Sequence, residues 1–302
     1  MARWLELTVE VDSEAVEAVS EILGRLGHGA AVRPTRLLRD PDDELSVRED
    51  ASAPYELTAH LPDDEAATEA IDRTERALWH LQAFGLRPVG SLLVRPVEES
   101  NWTEAWKEGY EPQRIGRVLI VPSWLEPPDA TDAVVLRLDP GMAFGTGLHP
   151  TTRACLTLLQ RAGPMPSRVL DVGSGSGILG IAALALGAER VEAIDTDPIA
   201  VETTLSNAAA NGMADRLSAR AGTLEELSPE PFPLVLANLV AAVLVALARP
   251  LAAHTAVGGT LLASGIIAER ADEVAGALTA AGLIEDERLN DGEWVSLRMQ
   301  RA

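Results

Sequence analysis

The stretch VLDVGSGSGILG, Val169–Gly180, constrains this chain more than any other part of it. Arg168–Val172 is an apolar run of strand length, and Gly173, Gly175 and Gly177 follow in alternation before a helical pattern begins. Glycine reaches positive φ without strain and lets backbone approach a ligand closely. A strand, a glycine turn and a helix in that order predict an open α/β sheet with a ligand at its carboxyl edge. The flanking sequence keeps the same rhythm. Val118–Pro122 and Val134–Leu138 read as strands. A helix over Thr151–Gln160, strand Arg168–Val172, helix Ile178–Leu186, strand Arg190–Ile194 and helix Ile199–Asn211 come next. Strands Leu217–Ala221, Leu234–Ala237 and Thr260–Ala263, helices Ala241–Leu251 and Ala268–Ala281, and extended stretches Leu283–Leu289 and Trp294–Met299 complete the pattern. Alternating βα units predict a parallel, doubly wound sheet.

The glycine run can be read in two frames. From Gly175, G-S-G-I-L-G satisfies the dinucleotide pattern G-x-G-x-x-G and would place a pyrophosphate at a helix N-terminus, as in a NAD-dependent oxidoreductase. From Asp171, D-V-G-S-G-S-G sets an acid ahead of the glycines. An acid there repels a pyrophosphate but can accept from the ammonium of S-adenosylmethionine, which carries no phosphate. The local electrostatics favour the second frame.

Three further positions fall on strand or helix ends of the same half. Asp195 closes the next strand, 22 residues beyond Gly173, where a carboxylate can accept both ribose hydroxyls of an adenosine cofactor. Asp197, just before Pro198, reads as a helix cap. Asn238 ends the strand of LVLANLV, where an amide can accept from a substrate amine and donate to a cofactor, or cap the helix that follows. The loop LDPGMAFGTGLHPTTR, Leu138–Arg153, reads as a shaped cover over the crevice, with Thr151 or Thr152 as cap or cofactor contact. His149, beside Pro150, can fix the loop or serve as a base, and Cys155 reads as a buried helix residue.

The first half has a different grammar. Leu5, Leu7, Val9 and Val11 alternate with polar residues, and Val16, Val19, Ile22, Leu23 and Leu26 share a helical face after Ser13. Strands Ala30–Leu38 and Tyr55–Leu61 flank an acidic loop, Asp40–Glu44; a helix over Asp63–Phe84 and strand Ser91–Val97 follow. The order βαββαβ predicts a ferredoxin-like α+β domain over residues 1–97. It carries no catalytic constellation, so its expected task is binding. Residues 98–116 form a linker in which Trp102 and Trp106 share one helical face, packing against a neighbour or facing substrate. Residues 117–302 form the larger domain.

Composition narrows the partners. A net charge of −21 disfavours nucleic acid. One cysteine and five scattered histidines exclude a disulfide and offer no metal-ligand spacing, so no metal is expected. The absence of a long apolar run or a leader-like start predicts no membrane association and a cytoplasmic location.

WTEAWKEGYEPQRIGRVLIVPSW, LDPGMAFGTGLHPTTR, VLDVGSGSGILGIAALALGA, IDTDPIAVETTLSNAAANG and LANLV stand in that order. Together they resemble the PrmA family, the methyltransferases of ribosomal protein L11, over roughly Trp102–Gly265. The resemblance implies a class I fold and S-adenosylmethionine as cofactor. It also implies a monomeric enzyme that methylates amino groups of ribosomal protein L11, mainly lysine side chains, with the N-terminal domain recognising that substrate. Carried over by motif, cofactor contacts fall on Thr152, Gly173, Asp195 and Asn238, with Asp171 and Gly175 in the same turn. Phe144 and Gly145 border the pocket, and Asn238 is the catalytic candidate. Leu239 and Val240 follow Asn238 in place of Pro-Pro and an aromatic ring, which argues against base or glutamine methylation. The rival readings are a different acceptor on the same fold and a NAD-dependent oxidoreductase.

Overall fold

The computed structural model describes residues 3–12, 15–24, 26, 30–40, 43–50, 53–64, 66–83, 89–98, 112–128, 132–139, 149–227 and 230–302. The chain divides into two compact units, Met1–Leu38 with Glu49–Tyr110, and Arg39–Arg48 with Glu111–Ala302. Trp102 and Trp106 fall outside the described residues.

The N-terminal part runs β1 (Arg3–Val11), α1 (Val16–Gly24), β2 (Ala31–Pro34), β3 (Leu37–Asp40), β4 (Asp43–Glu49), β5 (Tyr55–Pro62), α2 (Ala67–Ala83) and β6 (Leu93–Glu98). Four strands pair antiparallel in the order β2-β5-β1-β6, the ferredoxin-like arrangement. The period of two turns Val9 and Val11 of β1 and Leu57 and Ala59 of β5 inward. There they meet Val19 and Leu23 of α1 and Leu78 of α2. Two expectations are corrected here. Ala30–Leu38 is not one strand: it breaks at Thr35, whose amide and hydroxyl both donate to Pro54 O. The acidic segment Asp40–Glu44 is not a plain loop either, because Asp40 closes β3 and Asp43 opens β4 of a two-stranded sheet. A hairpin rests on local backbone pairing and needs no apolar alternation, so periodicity did not reveal it.

In the C-terminal part, β7 (Gln113–Ile115), β8 (Val118–Pro122) and β9 (Val134–Leu138) form a small sheet. Gln113–Gly116, at the end of the expected linker, is thus folded. The Gln160 side chain accepts from Arg117 N at 2.7 Å and donates to Ile115 O at 2.9 Å, pinning that turn. Next come α3 (Pro150–Arg161), β10 (Arg168–Val172), α4 (Ile178–Ala185), β11 (Arg190–Asp195), α5 (Pro198–Ala210), β12 (Leu217–Ala221) and β13 (Phe232–Asn238). Then follow α6 (Ala241–Ala246), α7 (Ala248–His254), β14 (Thr255–Ile267), α8 (Ala271–Ala280), β15 (Leu283–Asp291) and β16 (Trp294–Arg301). The single helix expected over Ala241–Leu251 is two, since Pro250 has no N–H to continue the first ladder and fits only an opening turn.

Seven strands lie in the order β12-β11-β10-β13-β14-β16-β15. β10 to β14 are mutually parallel, and β16 runs antiparallel between β14 and β15. The expectation of a wholly parallel sheet is corrected at this edge; the rest stands as the doubly wound, Rossmann-like class I architecture. Residues on alternate sides of the central strands feed two cores. Val169, Leu156 and Ile181 belong to one; Leu170, Val235, Leu251 and Val274 belong to the other. Strand order reverses between β10 and β13, which is where such a sheet opens a ligand crevice at its carboxyl edge.

Candidate active site

The crevice is there. A cavity of about 720 Å³ is lined by the glycine turn, Ile194, Asp195, Thr223, Asn238 and the exposed side of α6. That lies within the range of roughly 300–1,000 Å³ typical of cofactor pockets.

The turn has the conformation that the sequence demanded. Gly173, Gly175 and Gly177 have φ of 71°, 54° and 80°, and every positive-φ residue among those described is a glycine. At Gly173 any side chain would be strained by the positive φ, and its Cβ would also have to displace the end of the Leu239 side chain. Four amides of this turn are already engaged. Gly173 and Ser174 N–H donate to Ile194 O at 2.8 and 3.2 Å, Gly177 N–H to Ser174 O at 2.7 Å, and Gly175 N–H to Asp195 Oδ2 at 2.9 Å. A pyrophosphate needs those donors free. Gly180, third glycine of the dinucleotide frame, is explained by packing alone: a Cβ there would meet Val191 Cγ1 at 2.9 Å and Asp171 Oδ2 at 3.0 Å.

Asp195 closes β11 and lines the cavity. Its Oδ1 accepts from Asp197 N at 3.0 Å, and with the Gly175 bond this fixes the carboxylate while leaving lone pairs open. Asp197 caps α5 as expected, accepting from Ile199 N at 2.8 Å ahead of Pro198. Asn238 ends β13. Its Nδ2 donates to Thr152 Oγ1 at 3.4 Å, and its Oδ1 is buried with no hydrogen-bond partner. An orphaned buried acceptor costs about 1–3 kcal/mol, a penalty that a bound donor would remove. Thr152, Gly173, Gly175, Asp195 and Asn238 therefore meet around one cavity.

Asp171 does not join them. Expected to face the ligand, its side chain lies on the same strand face as Val169, under α4, and Oδ2 accepts from Gly180 N at 2.9 Å. Burial pushes its carboxyl up to about 7, against the lowering effect of the Gly180 bond, with Asp195 adding repulsion. It secures the first turn of α4 rather than lining the cavity. Phe144 and Gly145 lie outside the described residues.

The α3 cap is likewise neither threonine. His149 caps α3: its ring accepts from Thr151 N at 3.4 Å, bonds Thr151 Oγ1 at 2.7 Å and meets the Trp294 ring edge-on at 4.8 Å. Burial depresses its imidazole to about 4, so it is neutral at pH 7 and fixes the helix start. Sequence reasoning missed the floor beneath it. Ser264 Oγ donates to Thr151 O at 3.0 Å and bonds Ser296 Oγ at 2.6 Å. Gly265, φ 84°, lets β14 pass so close to Leu239 that a Cβ would stand 2.4 Å from its carbonyl oxygen. The dipeptide Ser-Gly inside an otherwise apolar strand was the available signal.

Comparison with known proteins decides between the two frames. A family model described as "Ribosomal protein L11 methyltransferase (PrmA)" matches residues 3–302. The chain belongs to that family. A ribosomal protein L11 methyltransferase of Chloroflexus aurantiacus is 44% identical over 99% of this chain and 98% of its own length. One of Herpetosiphon aurantiacus is 42% identical over 97% and 98%. Among solved structures, a ribosomal protein L11 methylase of Lactobacillus delbrueckii subsp. bulgaricus is 34% identical with a TM-score of 0.60, covering 64% of this chain and 99% of that one. Membership in the L11 methyltransferase family settles the glycine run as a methyltransferase turn; the oxidoreductase reading is withdrawn. Among the described residues no helix is long and apolar enough to cross a membrane, and no His, Cys, Asp or Glu group has metal-site geometry.

Proposed function

We propose that the crevice binds S-adenosylmethionine and that the enzyme transfers its methyl group to amino groups of ribosomal protein L11, mainly lysine side chains. The observation carrying this reading is the orphaned Oδ1 of Asn238, buried at the wall of a cavity whose glycine-turn amides are spent on backbone and Asp195. When bound, the cofactor supplies an electrophilic sulfonium methyl. Gly173 and Gly175 let it lie against the turn, and Asp195, fixed by Gly175 and Asp197, has lone pairs left for its ribose hydroxyls. Asn238 Oδ1 accepts an N–H of the incoming amine and aims the nitrogen lone pair, while Nδ2 stays on Thr152.

A lysine ammonium, with an ordinary pKa of about 10.4, must first give up its proton. Leu239, Val243 and Ala246 give the cavity an apolar wall that favours the neutral amine. His149 is neutral and committed to its cap, so deprotonation falls to solvent at the mouth of the crevice. Residues 1–98 serve as the recognition domain, and residues 99–112 lead to the catalytic domain that begins with β7. The net charge of −21 favours a basic protein partner and disfavours direct nucleic-acid contact. A ribosomal substrate implies a cytoplasmic enzyme, and one crevice per chain is sufficient for a monomer.

The test is labelled methyl transfer to purified ribosomal protein L11, followed by mass spectrometry of its amino groups. Asn238→Ala should cut kcat by about a hundredfold or more, through loss of orientation, with cofactor affinity within a few-fold. Asp195→Ala should instead abolish cofactor binding in a calorimetric titration. Unlabelled L11 with active wild-type enzyme on another acceptor would overturn the substrate; NAD binding in place of S-adenosylmethionine would overturn the site.

A further inference from the structure

The face of α5 turned to the interior carries polar groups where apolar ones would be expected. Thr204 and Asn207 are 0% and 1% exposed, and Asn211 caps the helix one turn beyond. Burying an amide is unfavourable unless it is fully hydrogen-bonded. These are, and their partners lie on two different structures. Thr204 Oγ1 donates to Gly175 O at 3.0 Å, and Asn207 Nδ2 donates to Ser176 O at 2.9 Å, both in the glycine turn. Asn207 also reaches β9: Nδ2 donates to Asp139 O at 2.9 Å while Oδ1 accepts from Asp139 N at 2.8 Å. Asn211 repeats that pair on Arg137, accepting from its N at 2.8 Å and donating to its O at 2.6 Å. Arg137 of β9 and Asp139, the residue just past its end, offer the side that β8 leaves unpaired, and two side-chain amides occupy it as a neighbouring strand would.

Asn211 thus ties β9 to its own helix, where Nδ2 also donates to Asn207 O at 2.8 Å, whereas Asn207 ties β9 to the cofactor turn with one amide group. We propose that Asn207 is a positioning residue that couples occupancy of the glycine turn to the order of β9. The coupling runs through Ser176 O, which fixes the turn from behind, on the side away from the cavity. By linkage it is reciprocal: a ligand seated on the turn steadies β9, and a steady β9 tightens the ligand. The inference rests on the cofactor placement proposed above.

The pair of asparagines provides its own control, because replacing either removes a β9 anchor but only one touches the turn. Calorimetric titration of S-adenosylmethionine into Asn207→Ala should show affinity lowered by about tenfold, and into Asn211→Ala by no more than about twofold. Hydrogen exchange gives a second readout. In the wild type, cofactor should slow exchange of the Arg137 amide; in Asn207→Ala, where Asn211 still accepts from that amide, the slowing should vanish. If Asn207→Ala does not fold, Asn207→Ser, too short to reach both carbonyls, should show the same two losses. Equal affinities for the Asn207 and Asn211 variants, or undiminished slowing at Arg137, would overturn the coupling. Asp195→Ala separates this from the site itself: normal affinity there removes the cofactor placement, whereas lost affinity there with normal affinity in Asn207→Ala removes only the coupling.

Discussion

The two largest sheets of this protein bury their interiors by different rules. In the ferredoxin-like unit, the described buried side chains are almost wholly apolar, with Thr74 the polar exception, bonded to Ala70 O one turn back in its own helix. In the larger sheet, Thr151, Thr152, Asp171, Ser174, Ser176, Thr204, Asn207, Ser264 and Ser296 are all buried, and they gather at the carboxyl edge of the strands. The first sheet is held by the hydrophobic effect and tolerates slight rearrangement. The second holds backbone loops in fixed positions with directed hydrogen bonds, as a site that must place a methyl group requires. Buried polarity, more than sheet size, marks the catalytic region.

That contrast can be broken or sharpened by substitution. The largest effect is expected at Gly265→Ala, where left-handed backbone strain combines with a clash against the Leu239 carbonyl. Stability should fall by about 3–6 kcal/mol in denaturant titration, and methyl transfer should slow with it because Asn238, which aims the amine, adjoins Leu239. Leu57→Ala, in the other core and fully buried, should cost about 2–5 kcal/mol yet leave S-adenosylmethionine affinity unchanged. A fall in affinity would show that the polar carboxyl edge of the larger sheet is not the whole of the cofactor site.

A smaller effect concerns pH. Asp171 titrates near 7 when folded and near 3.8 when unfolded, so between those values the folded state binds more protons. Its contribution to stability therefore declines as pH rises from about 4 to about 7. His149, depressed to about 4, acts in the opposite sense: its contribution is full above pH 6.5 and is lost as pH falls to about 4. Asp171→Asn keeps an acceptor for Gly180 and removes the first slope. Its stability relative to wild type should grow as pH is raised from 5 to 8, and a constant difference would refute the titration. The smallest effect is expected at Trp79→Ala. Trp79 is 63% exposed on α2, so stability should move by no more than about 0.5 kcal/mol and cofactor affinity not at all.

Legibility in the sequence followed the range of the interactions involved. β10 and β12 were readable to the residue, because each begins at or just after an arginine and ends against a glycine. Thr152, Gly173, Asp195 and Asn238 were readable as a set because open α/β sheets gather strand ends at one edge. The side-chain direction of Asp171 was misread, although the period of two was available: Asp171 shares a face with Val169, and on this strand and turn the cavity is reached only from Val172 onward. The Asn207 bridge to Asp139 spans 68 positions, and nothing local in SNAAANG announces it. The insertion of β16 between β14 and β15 is equally non-local, since either order satisfies the same alternation.

That insertion has a consequence in time. β14 is placed between β13 and β16, and Leu261, Ala263 and Ile266 become fully covered only once Val295, Leu297 and Met299 have arrived. At synthesis rates of about 5–20 residues per second, the five parallel strands wait on the order of seconds with an open apolar border. During that interval the nascent chain carries an unsatisfied strand edge, a natural target for a chaperone or for a neighbouring nascent copy. An enzyme whose substrate is a part of the ribosome thus closes its own catalytic sheet only after β16 has left the ribosome.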